Sequence, residues 1–172
     1  MPPAPHADAC LHEIFLAVAG RHPDRIAIEV PAGGADGTDV RVSYAQLAAR
    51  ASDCAAALDG LVGPDARVAV LLPRDGAALY VAQLGALVAG GAFVGLDVAF
   101  PDTHIGRLLA DAAPVAVLTD AAGRARLERI ADAPAEGSAA DPRIGWRGPI
   151  IVVDDVQRGS RLVAPPPPAS ST

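Results

Sequence analysis

The chain has 172 residues, of which 51% are apolar, so it is long enough and apolar enough for one buried core. It carries 14 arginines, no lysine and 20 acidic residues, for a formal charge of −6. Without lysine it supplies no Schiff base, no catalytic ammonium and no Walker-type phosphate lysine. The acidic balance and scattered arginines exclude a phosphate-tracking surface, so nucleic acid is not expected as a partner.

Residues 1–9, with Pro2, Pro3 and Pro5, read as a disordered lead. Leu11, Ile14, Phe15, Val18 and Ala19 form a helical stripe that stops at Gly20. Glu13 interrupts the first apolar run and no basic residue precedes it, so the N-terminus is not a secretory signal and a cytoplasmic location is expected. Ile26 to Val30 and Val40 to Val42 flank a glycine-rich turn and predict a β-hairpin. Ser43, with Gln46 three residues on, predicts a capping box. The helix that follows has the stripe Tyr44, Leu47, Ala51, Cys54 and Leu58, and ends at Gly60 and Gly63-Pro64.

Val68 to Leu72 is a continuous apolar strand of the kind covered on both faces. Asp75 is placed to cap a helix with the stripe Ala78, Val81, Leu84 and Val88, which Gly90-Gly91 stops. Ala92 to Leu96 reads as another buried strand. The uncharged run Ala77 to Leu96 has a membrane-span length, but Gly90-Gly91 breaks it and Arg74-Asp75 and Asp97 flank it. Helix, turn and strand therefore explain it, and no membrane partner is expected. Asp102 or Thr103 caps a short helix with Ile105, Leu108, Leu109 and Ala112 inward. Pro114 to Leu118 is a strand, and a polar helix runs from Ala122 to Ala131. Residues 132–148 read as a long loop, Ile150 to Asp155 as a last strand, and 157–172 as a Pro-rich tail. The alternation after Ala66 predicts an α/β fold, a mostly parallel sheet with flanking helices, plus the N-terminal hairpin. The domain proper is expected over 10–156.

Residues with chemical potential have plain structural explanations. His6, Asp8, Cys10 and His12 place four ligand-capable groups in one segment, but no second pair follows downstream, so no metal site is expected. Cys10 and Cys54 lack CxxC spacing and are predicted to be buried, reduced thiols on helix faces. Arg124, Arg126 and Arg129, with Glu128 among them, predict one solvated helix face. Asp97 follows a strand and reads as a turn former before Phe100-Pro101, rather than a catalytic carboxylate. His104 falls in a helix first turn and is expected to be solvated. Tyr44 and Phe93 have ordinary core explanations. No GxSxG, HExxH or Ser/His/Asp pattern is present.

Two segments are more specific. Val42-Ser43-Tyr44-Ala45-Gln46-Leu47 resembles the first core motif, Leu-Thr-Tyr-x-Glu-Leu, of non-ribosomal peptide synthetase adenylation domains. Leu87 to Asp97, continued by Phe100-Pro101, resembles their second, Leu-Lys-Ala-Gly-x-Ala-Tyr-Val-Pro-Leu-Asp. Leu11 to Phe15, His22 to Ala27, Asp111 to Pro114 and Val117 to Asp120 extend the resemblance, in order, from about residue 10 to residue 120. Val88 stands where the pattern has lysine, Gly95 and Val98 where it has proline, and Gln46 where it has Glu. These adenylate-forming enzymes activate amino or carboxylic acids with ATP and Mg as acyl-adenylates, which pass to a phosphopantetheine thiol.

The resemblance thus implies the N-terminal subdomain of such a fold. The family's Ser/Thr/Gly-rich phosphate loop, its later Asp and Arg motifs and its C-terminal lysine have no counterpart in these residues. The chain ends about where that loop is expected. It follows that no catalytic, cofactor-binding or metal-binding residue is assigned, and that the chain is expected to bind no cofactor and have no catalysis by itself. The partners implied are a chain supplying the rest of an adenylation domain, or a carrier protein. Two other readings stand beside this one. One is a non-enzymatic interaction module, or half of a split enzyme, with an exposed sheet edge. The other is a stand-alone domain binding a small ligand at its strand ends.

Overall fold

The structure, a computed structural model, describes residues 9–31, 39–132 and 146–153. The lead to Asp8, the hairpin turn over 32–38, most of the 132–148 loop and the tail lie outside the described residues.

The predicted α/β architecture is present. Helix α1 (Leu11–Arg21) leads into an antiparallel pair, β1 (Ile26–Val30) and β2 (Val40–Ser43). Helix α2 (Tyr44–Ala57) begins on the predicted capping box. Ser43 Oγ accepts from the Gln46 amide at 3.3 Å, and Gln46 Oε1 accepts from the Ser43 amide at 2.9 Å. The chain then alternates β3 (Arg67–Leu71), α3 (Ala77–Val88), β4 (Ala92–Leu96), α4 (Asp102–Ala112), β5 (Ala116–Thr119), α5 (Ala121–Asp132) and β6 (Ile150–Val152). The four later strands form one parallel sheet in the order β4-β3-β5-β6. The β4–α4–β5 connection passes over β3, as the strand order requires.

Strand alternation gives the sheet two covered faces. Val68, Val70, Leu118 and Ile151 pack with Leu47, Cys54 and Leu58 of the α2 segment and with Val81, Ala82 and Ala86 of α3. Ala69, Leu71 and Val117 face the other way, onto Ile105 and Leu109 of α4 and Leu127 and Ile130 of α5. Burying each Val, Leu or Ile of these faces contributes roughly 1.5–3 kcal/mol. Helices α2 and α3 approach closely at Gly85, where a Cβ would lie 2.6 Å from Cys54 Sγ.

Several details correct the sequence reading. Helix α1 runs on to Arg21, past Gly20. The N-cap of α3 is Gly76, with no side-chain bond from Asp75, and that of α4 is Pro101, so neither Asp102 nor Thr103 caps it. Trp146, assigned to the loop, packs against the α4–α5 core and donates its indole N–H to the Pro114 carbonyl at 2.9 Å. The main correction is β4. It was expected to be buried, but Ala92, Phe93 and Gly95 are exposed, because β4 is an edge strand that pairs with β3 alone among the described residues. Phe93, opposite Val68, is therefore not a core residue.

Candidate functional site

In a parallel α/β sheet, ligands collect where successive strands send their helices to opposite faces. Here that place is the carboxyl end of β3 and β5, since α3 lies on one face and α5 on the other. Thr119, fully buried, closes it: its hydroxyl donates to the Leu71 carbonyl at 2.6 Å. Asp120 turns the other way, accepting from the Gly123 amide at 2.7 Å at the start of α5. Burial of a hydroxyl is tolerated only with such a partner.

Beside this crevice, the β4–α4 connection is held from two sides. Asp97 accepts from Arg74 at 2.9 Å through Oδ2, and from the Ala99 amide at 2.9 Å through Oδ1. The second bond is the turn role predicted for Asp97. Arg126 of α5 reaches across to the Asp102 carboxylate at 2.7 Å, the Val98 carbonyl at 2.6 Å and the Phe100 carbonyl. Guanidinium geometry suits such a fan of acceptors. A cleft of about 410 Å³ lies alongside, lined by Val70, Leu72, Arg74, Tyr80, Asp97 and Phe100. A larger apolar groove of about 510 Å³ lies between α1, the hairpin, α3 and β4.

Arg126 thus leaves the predicted solvated arginine face, although Arg124 keeps to it in an i,i+4 pair with Glu128 at 3.0 Å. His104 is exposed in the first turn of α4, edge-on to Phe100 with ring centroids 4.8 Å apart. Tyr44 is half-buried, its ring 6.1 Å from that of Phe15. Cys54 is buried as predicted, and desolvation pushes its thiol up to about 12. Cys10 is exposed, against expectation, because it sits at the N-cap of α1, outside the stripe. His6 and Asp8 lie outside the described residues, and the described ones contain no group of three or more metal-ligand side chains. None of the helices they form is long and apolar enough to cross a membrane.

Sequence reasoning missed Arg126 and Thr119. The signal for Arg126 was its place beside the buried stripe Gly123, Leu127 and Ile130. Thr119 ends a strand whose every residue is buried, and that position required a bonded hydroxyl.

An ATP triphosphate does not fit these residues. The Thr119 hydroxyl is engaged, Asp97 is paired, and neither a glycine-rich loop nor a lysine is at hand.

A parallel sheet covered on both faces, joined to an N-terminal hairpin and carrying ordered adenylation motifs, defines the class of adenylate-forming proteins. Residues 15–164 match the model of the AMP-binding enzyme family, and the chain belongs to that family. The AMB antimetabolite synthetase AmbB of Pseudomonas aeruginosa is 39% identical over 130 residues, covering 75% of this chain and 10% of AmbB. Among solved structures, the nonribosomal peptide synthetase FmoA3, bound to alpha-methyl-L-serine-AMP, is similar at 30% identity and a TM-score of 0.66. The match covers 92% of this chain and 16% of FmoA3. The N-terminal subdomain of Klebsiella oxytoca NpsA is similar at 26% identity and a TM-score of 0.54, covering 64% of this chain and 27% of that one. The chain therefore corresponds to part of an adenylation domain of nonribosomal peptide synthetase type, and spans about a tenth of the relative AmbB. Structures of FmoA3 similar to this chain are bound to AMPPNP or to alpha-methyl-L-serine-AMP. The interaction-module reading gives way to this one.

Proposed function

We propose that residues 10–156 are scaffold for an adenylation domain that activates an amino or carboxylic acid with ATP and magnesium. The acyl-adenylate then passes to a carrier-protein thiol, in the cytoplasm. The observation that carries this reading is the family match over 15–164, with both core motifs in order on a sheet of the expected kind. The motifs serve the fold here. The first supplies the α2 capping box, and the second supplies β4 and the connection that Arg74 and Arg126 hold. Phosphate binding and the catalytic lysine belong to other parts of the domain.

The test is ATP–pyrophosphate exchange with a panel of amino acids. The 172-residue chain by itself is expected to give none above background, and clear exchange overturns the scaffold role. Adding a polypeptide that carries the phosphate loop and the lysine is expected to produce exchange.

A further inference from the structure

Strand β4 departs both from the adenylation pattern and from the way protein sheets finish their edges. Its five residues, Ala92 to Leu96, include no charge and no proline. The Ala92 amide donates to the Ala66 carbonyl at 2.9 Å, and the register pairs Ala92 with Arg67 and Leu96 with Leu71. Alternate residues of a strand turn their backbone groups to opposite sides, so Ala92, Val94 and Leu96 bond to β3. Phe93 and Gly95 therefore direct their amides and carbonyls outward, along an edge that no other described strand covers. The pattern has proline where Gly95 stands, and a proline there has no outward donor to give. Gly95 supplies one, and a Cβ on it would meet nothing within 4 Å. Natural edges are blunted by charges, proline or bulges. The β1–β2 pair has such devices, a register shift between Ile26 and Ile28 and the ion pair of Glu29 with Arg41 at 2.7 Å. Strand β4 has no charge of its own to serve that purpose.

We propose that the edge of β4 pairs antiparallel with β4 of a second copy of this chain, about a two-fold axis at Val94. That axis sets Phe93 opposite Gly95 of the second copy, and Gly95 opposite its Phe93. These are the residues whose backbone groups point outward, so each opposed pair exchanges both of its bonds. Other centres lose bonds. An axis at Phe93 sets Gly95 opposite Gly91, whose amide is already bonded to the Ala86 carbonyl at 3.0 Å. An axis at Gly95 sets Phe93 opposite Asp97, whose carbonyl already accepts from the Phe100 amide at 3.1 Å. The side chains match as well. Phe93 and Gly95 share the sheet face of Val68 and Val70, so each Phe93 ring lies over the bare backbone of a glycine. Aromatic rings cover edge glycines in this way, and Phe93 is 36% exposed in the single chain. Charge also agrees: Asp97 falls opposite Gly91 and is held by Arg74 at 2.9 Å, so no like charges are opposed. The pairing joins two four-stranded sheets into one continuous sheet. It is a property of this chain by itself and does not rest on the activity of a complete domain.

The experiment follows the purified chain by sedimentation velocity from about 1 to about 100 μM and measures amide exchange at both ends of that range. The expected result is a dimer that forms with concentration. Exchange of the Phe93 and Gly95 amides slows about tenfold or more as it forms, while the Ala92 and Val94 amides, bonded to β3 already, change less. Gly95→Pro removes an outward donor from each copy and is expected to weaken association about tenfold or more. Because the Gly95 amide faces away from β3, the unfolding midpoint of this variant at the lowest concentration stays that of the original chain and serves as the folding control. Phe93→Lys is the second variant: its side chain is exposed, and an ammonium on the edge is expected to weaken association to a similar degree. Arg129→Glu, on the exposed side of α5, leaves association unchanged. A monomer at every concentration overturns the proposal, as does a dimer whose Phe93 and Gly95 amides stay unprotected, or one that Gly95→Pro and Phe93→Lys leave intact. Growth beyond the dimer also overturns it, because a two-fold pairing uses each β4 edge once.

Discussion

Thr119 and Gly123 hold each other in place. The Thr119 hydroxyl bonds to the Leu71 carbonyl at 2.6 Å inside the sheet. A Cβ on Gly123 would sit 1.9 Å from that hydroxyl oxygen. Gly123→Ala therefore forces either Thr119 to abandon its bond or α5 to move outward. The expected loss is about 1–3 kcal/mol in urea unfolding. Thr119→Ala removes the clashing oxygen, so the double variant is expected to cost less than the sum of the two singles. Strict additivity would show that the two residues do not share this contact. Cys54 gives a second prediction, in pH. Burial pushes its thiol from the ordinary 9.0 to about 12, so the unfolded chain releases this proton first as pH rises. Its contribution is fully present below pH 9.0 and is lost on the way to about 12, at about 1.4 kcal/mol per pH unit. Cys54→Ala, although less stable at neutral pH because of its cavity, is expected to have a flatter stability profile above pH 9. Parallel profiles for the two proteins would remove the assigned cause. Burial of Cys54 was readable from its place on the α2 stripe, whereas the Thr119 bond joins residues 48 apart in sequence and no local pattern shows it.

At the scale of elements, the periodic stretches were legible because each helix and strand buries one repeating set of positions. The Ser43–Gln46 capping box was legible because both partners lie within one turn. The neighbours of β4 were not. An apolar run such as Ala92 to Leu96 reads the same in the centre of a sheet and at its edge, and strand order comes from crossovers. The hold of Arg126 on the β4–α4 connection was hidden for a similar reason, since its acceptors lie more than 20 residues away. Its side chain is 21% exposed, so these bonds are sheltered from water more than a surface pair is. Arg126→Ala is expected to cost about 2 kcal/mol, with faster amide exchange over 97–101. Arg126→Lys is not expected to restore it, because one ammonium does not span a carboxylate and two carbonyls as a planar fork does. Full rescue by lysine would reduce the role of Arg126 to charge.

Across the whole molecule, packing is uneven in a way that fixes the order of opening. From Val68 to Leu71, β3 is buried throughout, and so is β5; together they sit between two helix layers. Helix α1 is the opposite case. Ala19 is the buried residue it contributes, while Leu11 is 64% exposed and Ile14 and Leu16 are also exposed. The hairpin is intermediate: Val42 is fully buried, but Ile26 is exposed. Opening α1 uncovers little apolar area that is not already wet, so it costs far less than separating β3 from β5. Native-state hydrogen exchange of the chain alone is therefore expected to rank the amides. Those of β3 and β5 exchange only through global unfolding, with a full denaturant dependence. Those of α1 exchange through a local opening with little denaturant dependence, and the hairpin falls between them. If α1 exchanged as slowly as β3 and with the same denaturant slope, the molecule would open as one unit. The exposed side chains of α1 would then be covered in solution by something the isolated chain provides for itself. The ranking holds whatever the complete domain activates, because it depends on which faces these residues cover and which they leave open.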